Sequence, residues 1–149
     1  MTIRFLTIIT SLLFTLGLKA QIIKPISTSF DAVIIIDYDG ATAGVKGQEP
    51  KILKELAAQS KLKVSGDSEV TYITFSSSVI GGENVSIVNY AEVINNKDTG
   101  GSIIKATSTS IMHDKKLTWI FYYDKHKNLI AIEYFIPKEG KSFFFTDSD

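Results

Sequence analysis

The segment from Leu117 to Ile136 constrains the fold of this chain most strongly. Two runs rich in aromatic and β-branched residues, Leu117–Tyr123 and Leu129–Ile136, flank the short polar segment Asp124–Asn128. This pattern predicts an antiparallel hairpin. Side chains alternate between the two faces of a strand, and here both sets of alternate residues are mostly apolar. We therefore expect both faces of the hairpin to be at least partly covered, as in the middle of a sheet.

One earlier segment has the pattern of a helix. Pro50 suits the first helical turn, where the N–H that proline lacks is not needed. The pattern predicts a helix from Pro50 to about Leu62, the best candidate for covering one face of the hairpin. Its apolar stripe, at helical spacing, consists of Ile52, Leu53, Leu56, Ala57 and Ser60.

The rest of the chain has the pattern of strands separated by short turns. One strand is predicted at Phe30–Tyr38, and six follow from Glu69 onward. Short turns favour a meander, because parallel neighbours need crossovers of about a dozen residues or more. We therefore predict an α+β fold, a curved antiparallel sheet of six or seven strands with one helix packed on a face. The alternative is a small closed β-barrel with the helix capping one end. Phe143–Phe145 would form an edge strand open to pairing.

The first twenty residues have the pattern of a secretory signal peptide. Arg4 provides a positive charge, Phe5–Leu18 is a mostly apolar core, and Ala20 is a small residue at the expected cleavage position. The core spans about 14 residues, fewer than the roughly 17–25 that cross a bilayer. We expect residues 1–20 to be removed, residues 21–149 to form a single domain without stable membrane insertion, and the product to be periplasmic or secreted.

Composition limits the classes of function. The chain contains no cysteine, so it has neither a disulfide nor a lipid-modified cysteine after the signal. Without Arg4 and Lys19, the sixteen basic residues become fourteen against sixteen acidic ones, a formal charge of −2. No long basic run occurs, which argues against nucleic acid as a partner. The two histidines, His113 and His126, fall in predicted turns without zinc-ligand spacing. No cofactor is indicated.

Asp37 and Asp39 are the best candidates for a metal site. They end the apolar run Val33–Ile36 in an Asp-x-Asp-Gly pattern, and two carboxylates at this spacing can approach one cation. The pattern resembles the first motif of the haloacid-dehalogenase-type phosphatases. That resemblance implies a nucleophilic Asp37, an acid–base Asp39 and a magnesium ion. It covers about ten residues, and the later lysine and acidic pair of that family have no counterpart at strand ends here. The alternative is a turn at Asp39-Gly40.

Strand-borne tyrosines are the candidates for a ligand site. Most aromatic residues on strands fill cores, but a tyrosine hydroxyl needs a polar partner when buried, so tyrosines are favoured at a concave binding face. Serine and threonine side chains of Ser102–Ser110 would add polar contacts in the same cavity. The candidate ligand-binding residues are Tyr72, Tyr90, Tyr122 and Tyr134.

These observations favour an exported binding module without enzymatic activity, for a small molecule or a protein partner. This conclusion rests on the predicted signal peptide, the single small domain and the incomplete set of catalytic residues. The alternative is a metal-dependent phosphotransfer or hydrolase site at Asp37 and Asp39.

The hairpin generates a prediction that is independent of function. Trp119 should be largely buried, packed with Phe121 or neighbouring strands, and backed by the stripe Ile52, Leu53 and Leu56. Truncating a buried tryptophan costs about 3–5 kcal/mol, so Trp119→Ala should strongly lower the unfolding midpoint. The native indole should also show blue-shifted fluorescence. Wild-type stability in the variant would instead place Trp119 at the surface.

Overall fold

Eight antiparallel strands close into a barrel in the computed structural model, which describes residues 22–38, 51–67, 69–95, 100–136 and 139–148. Each strand pairs with its neighbours in sequence, and the last strand pairs with the first, so the meander closes on itself. The strands are β1 Ile26–Asp37, β2 Lys51–Gly66, β3 Thr71–Ser77, β4 Gly82–Asn95, β5 Ser102–Ser110, β6 Lys116–Tyr123, β7 Leu129–Ile136 and β8 Lys141–Thr146.

The predicted α+β fold is wrong, because the segment assigned to the helix is strand β2. Lys51–Gly66 pairs with β1 on one side, and its second half pairs with β3 on the other. From Ala58 onward its residues alternate between buried and exposed positions, with Leu62 and Val64 facing inward. Lysine, leucine, glutamate and alanine favour helices locally, but here burial and pairing with two distant strands outweigh that preference.

The strands follow one another as a meander, but there are eight of them instead of the predicted six or seven. The alternative of a closed barrel had the right closure and a wrong capping helix, since no α-helix occurs in the described residues. The predicted edge strand Phe143–Phe145 is not an edge. It lies in β8, which pairs with β7 on one side and β1 on the other. Closure of the barrel therefore protects this apolar strand from pairing with other chains.

The inner face of the barrel holds the aromatic core. Trp119 is 1 % exposed, which confirms its predicted burial. Its ring packs against Phe75, with ring centroids 5.4 Å apart, and Phe75 packs against Phe145 at 4.8 Å. The predicted backing by the stripe is wrong, because Ile52 and Leu53 are exposed on β2.

The two ends of the barrel are lined differently. At the end that we call the base, the chain before β1 crosses the opening and buries Ile23 in the core. At the other end, the mouth, the turns 78–81 and 111–115 connect β3 to β4 and β5 to β6. Small side chains replace the aromatic ones on the inner face toward the mouth. The buried serines there are Ser60, Ser77, Ser86, Ser108 and Ser110.

Two leucines of β2 test the strand assignment. Leu62 is 1 % exposed and Leu53 is 45 % exposed, whereas a helix would have buried Leu53 in its stripe. Leu62→Ala should lower the free energy of unfolding by about 2–5 kcal/mol. Leu53→Ala should change it by no more than about 0.5 kcal/mol. Urea denaturation of the two variants provides the measurement, and the opposite ranking would contradict the assignment.

Candidate functional site

A polar cavity of about 190 Å³ opens at the mouth of the barrel, and we call it the cup. It exists because the inward positions of β4 and β5 near the mouth carry small or short polar side chains instead of aromatic ones. Its inner wall and its rim come from β4, β5, β6, β7 and the two mouth turns. The lining residues are Ile80, Gly81, Gly82, Glu83, Asn84, Ser110, His113, Lys115, Leu117, Trp119 and Tyr134.

Two buried polar atoms in the wall of the cup have no hydrogen-bond partner among the described residues. They are the side-chain carbonyl Oδ1 of Asn84 and the hydroxyl Oγ of Ser110. Ser110 is 2 % exposed. Buried polar groups in native proteins are nearly always hydrogen-bonded, and leaving one unpaired costs about 1–3 kcal/mol. These two atoms therefore mark the part of the cup wall where an added hydrogen-bonding group would be stabilised most.

Other buried serines of the inner face are paired with one another. Ser60 donates a hydrogen bond to Ser77 at 2.9 Å, and Ser108 donates one to Ser86 at the same distance. The indole N–H of Trp119 donates to Ser108 Oγ at 3.0 Å. On the inner face, these serines are paired and Ser110 is not. A further buried hydroxyl without a partner among the described residues, Ser142 Oγ, lies on β8 outside the cup.

The turn after β5 fixes the position of Ser110. Its backbone N–H donates to the carbonyl of Lys115 at 2.8 Å, and its carbonyl accepts from Asp114 at 3.1 Å. Asp114 has a φ of 48°, in the left-handed region, which lets the chain reverse within this short turn. The same turn brings His113 and Lys115 to the rim of the cup, which the acidic Glu83 also lines.

Two aromatic rings form one side of the cup. The rings of Trp119 and Tyr134 lie 4.9 Å apart at an angle of 39°. Burial raises the pKa of the Tyr134 phenol, and the negative charge of Glu139 adds to this effect. The phenol therefore stays protonated at neutral pH. The cup combines an aromatic side, two unpaired polar atoms and a rim of mixed charge.

The four candidate tyrosines do not share one site. Tyr134 lines the cup. Tyr122 points to the outer face of β6, and Tyr90 is largely exposed on β4. Tyr72 stands opposite Ser65 and Ile87, on the outer face of β3. Of the polar side chains predicted from Ser102–Ser110 to line the same cavity, Ser110 does line the cup.

The predicted metal pair cannot be placed as a pair. Asp37 is the last residue of β1, and the strand register sets it opposite Lys51 on β2 and Lys141 on β8. Asp39 lies outside the described residues. Among the residues that are described, no group of three or more His, Cys, Asp or Glu side chains is arranged to hold a metal ion.

A buried carboxylate on the outer face was missed in the sequence. Glu133 interrupts the apolar run of β7, and it is only 2 % exposed. The hydroxyl of Tyr38 donates to its Oε1 at 2.7 Å, and the hydroxyl of Tyr122 donates to its Oε2 at 2.6 Å. Short hydrogen bonds to a carboxylate are strong, and they offset the cost of removing the charge from water. The cluster thereby ties the end of β1 to β6 and β7.

This cluster changes the acidity of both tyrosines. Burial, the hydrogen bond to Glu133 and its negative charge raise the pKa of Tyr38 to about 12 from an ordinary value of 10.0. The same three causes, in the same order, raise the pKa of Tyr122. Both carboxylate oxygens already accept a hydrogen bond, so we assign Glu133 to stability rather than to ligand binding.

Comparisons with known proteins identify no relative. The chain matches no protein-family model, and neither a curated protein nor a solved structure is significantly similar to it. Within the described residues, no helix is long and apolar enough to cross a membrane.

The raised pKa of Tyr38 predicts how stability depends on alkaline pH. The folded protein holds the Tyr38 proton more tightly than the unfolded chain does. The contribution of this group to the free energy of unfolding is therefore complete below pH 10. As the pH rises from about 10 to about 12, the unfolded state loses the proton first and stability falls. Urea midpoints across this window should fall less steeply in Tyr38→Phe than in the wild type. Tyr90→Phe, at an exposed tyrosine, is the control. Equal slopes in Tyr38→Phe and the wild type would contradict the assigned cluster.

Proposed function

We propose that this protein is an exported binding protein, without enzymatic activity, that holds a small polar molecule in the cup. The observation that carries the proposal is the pair of buried, unpartnered atoms in the cup wall, Asn84 Oδ1 and Ser110 Oγ. Export is supported by the signal-peptide pattern of residues 1–20.

The wall of the cup defines the chemistry of the ligand. Asn84 Oδ1 only accepts hydrogen bonds, so the ligand must carry an O–H or N–H donor. The hydroxyl of Ser110 can donate or accept. The rings of Trp119 and Tyr134 favour a ligand with one flat or apolar side. A small neutral molecule with hydroxyl or amide groups satisfies these requirements.

The size of the cup limits the ligand further. Its volume of about 190 Å³ is below the roughly 300–1,000 Å³ of pockets for drug-sized molecules. At about 30 Å³ per water molecule, the cup holds the volume of about six waters. This favours a single sugar ring, a small amide or an amino alcohol over a peptide segment, and hence the small-molecule version of the binding module.

Trp119 provides a built-in reporter of binding. It is the one tryptophan of the chain and it lines the cup. The experiment titrates a panel of monosaccharides, small amides, amino alcohols and nucleobases while tryptophan fluorescence is recorded. We expect at least one class to give a saturable change in emission. A panel without any saturable response would contradict the proposal.

Two serine variants separate binding from stability. Ser110→Ala removes an unpaired hydroxyl, so it should weaken binding about two- to tenfold, as expected for one neutral hydrogen bond, while the free protein becomes no less stable. Ser60→Ala removes a paired hydroxyl outside the cup, so it should lower stability and leave affinity unchanged. The proposal fails if Ser110→Ala binds as tightly as the wild type, or if Ser60→Ala loses affinity equally.

A further inference from the structure

A second cavity lies at the base of the barrel, at the opposite end from the cup. It has a volume of about 300 Å³. The segment before β1 forms one side of it, and the ends of β5 and β6 with the turn between β6 and β7 form the other. The lining residues are Ile22, Lys24, Pro25, Ile26, Ser102, Ile104, Tyr123 and Lys127.

The lining of this cavity is amphipathic and carries charge of one sign. Ile22, Ile26 and Ile104 give it apolar walls. Among the described residues that line it, the two charged ones, Lys24 and Lys127, are both basic. The chain as a whole contains equal numbers of basic and acidic residues, so this local excess of positive charge is not a consequence of composition.

The nearest carboxylate in the turn is already engaged. Asp124 Oδ1 accepts hydrogen bonds from the backbone N–H groups of His126 and Asn128, at 2.8 and 2.9 Å. Its Oδ2 accepts one from the side-chain amide of Asn128 at 3.1 Å. These hydrogen bonds commit the carboxylate to holding the turn in shape.

Lys127 occupies a backbone conformation that disfavours lysine. Its φ is 66°, in the left-handed region that glycine and asparagine adopt more readily. Its N–H donates to the carbonyl of Asp124 at 3.0 Å, so the tight turn imposes this conformation. Residues held in sparsely populated conformations cluster at functional sites. In this conformation Lys127 lines the edge of the cavity.

We propose that the cavity at the base binds a small amphipathic anion, with the charged group between Lys24 and Lys127 and the apolar part against Ile22, Ile26 and Ile104. The charged group is a carboxylate, sulfate or phosphate, which share the chemistry that two lysines recognise. This site is separate from the cup and does not depend on the function proposed for the cup.

Octanoate is the probe for this site, and calorimetry is the measurement. We expect saturable binding of one octanoate per chain, at least about tenfold tighter than that of octan-1-ol or octylammonium, and weakened by added salt because exposed charges are screened. Anionic lipid vesicles form a separate arm of the experiment. Binding to vesicles without binding of monomeric octanoate would overturn the proposal in favour of a membrane surface.

Lysine variants assign the site within the protein. Lys127→Asn should weaken octanoate binding about tenfold and also raise the unfolding midpoint, because asparagine suits the left-handed conformation better. Lys125→Asn, in the same turn but outside the cavity, should keep wild-type affinity. Lys24→Gln provides an independent test of the second charge. Unchanged affinity in both Lys127→Asn and Lys24→Gln would overturn the site. Loss of octanoate binding in Ser110→Ala would show that octanoate binds in the cup instead.

Discussion

Closure of the barrel through β2 is the constraint on which the rest of the structure depends. Residues Lys51–Gly66 pair with β1 and β3, and β8 returns to β1, so the sheet has an inside and an outside. Strand pairing then dictates which side chains point inward. Without β2, the apolar inner faces of β1 and β3 would be uncovered, and the sheet could not close into a barrel.

Closure also explains why one protein can contain two dissimilar cavities. An eight-stranded barrel has an interior just wide enough to be filled by side chains or to hold one small ligand. Here aromatic residues such as Trp119 and Phe75 fill the middle, while serines leave space toward the mouth. At the base, Ile23 closes the interior, so the second cavity lies outside the core and carries a different lining.

Local sequence patterns were sufficient to predict most strands and the burial of Trp119, because alternation and short turns can be recognised from a few neighbouring residues. They failed for β2, whose residues favour a helix until distant partners are known. The serine and threonine residues of Ser102–Ser110 already indicated polar contacts in a cavity. The inward direction of Asn84 follows from the β3–β4 register. The burial of Glu133 depends on Tyr38 and Tyr122, which donate to it on the outer face. Such features depend on contacts distant in sequence, so no local pattern contains them.

The central claim is that this protein binds its ligand in the cup. An NMR titration of ¹⁵N-labelled protein tests this claim most directly. The titrant is the tightest-binding compound of the panel. The account predicts that the signals of the Trp119 indole N–H, the Asn84 side-chain amide and the Ser110 backbone amide shift together and saturate. The signals of the backbone amides of Tyr122 and Phe144, on the outer face, should not shift. Shifts confined to the outer face, with the three cup signals unchanged, would contradict the account.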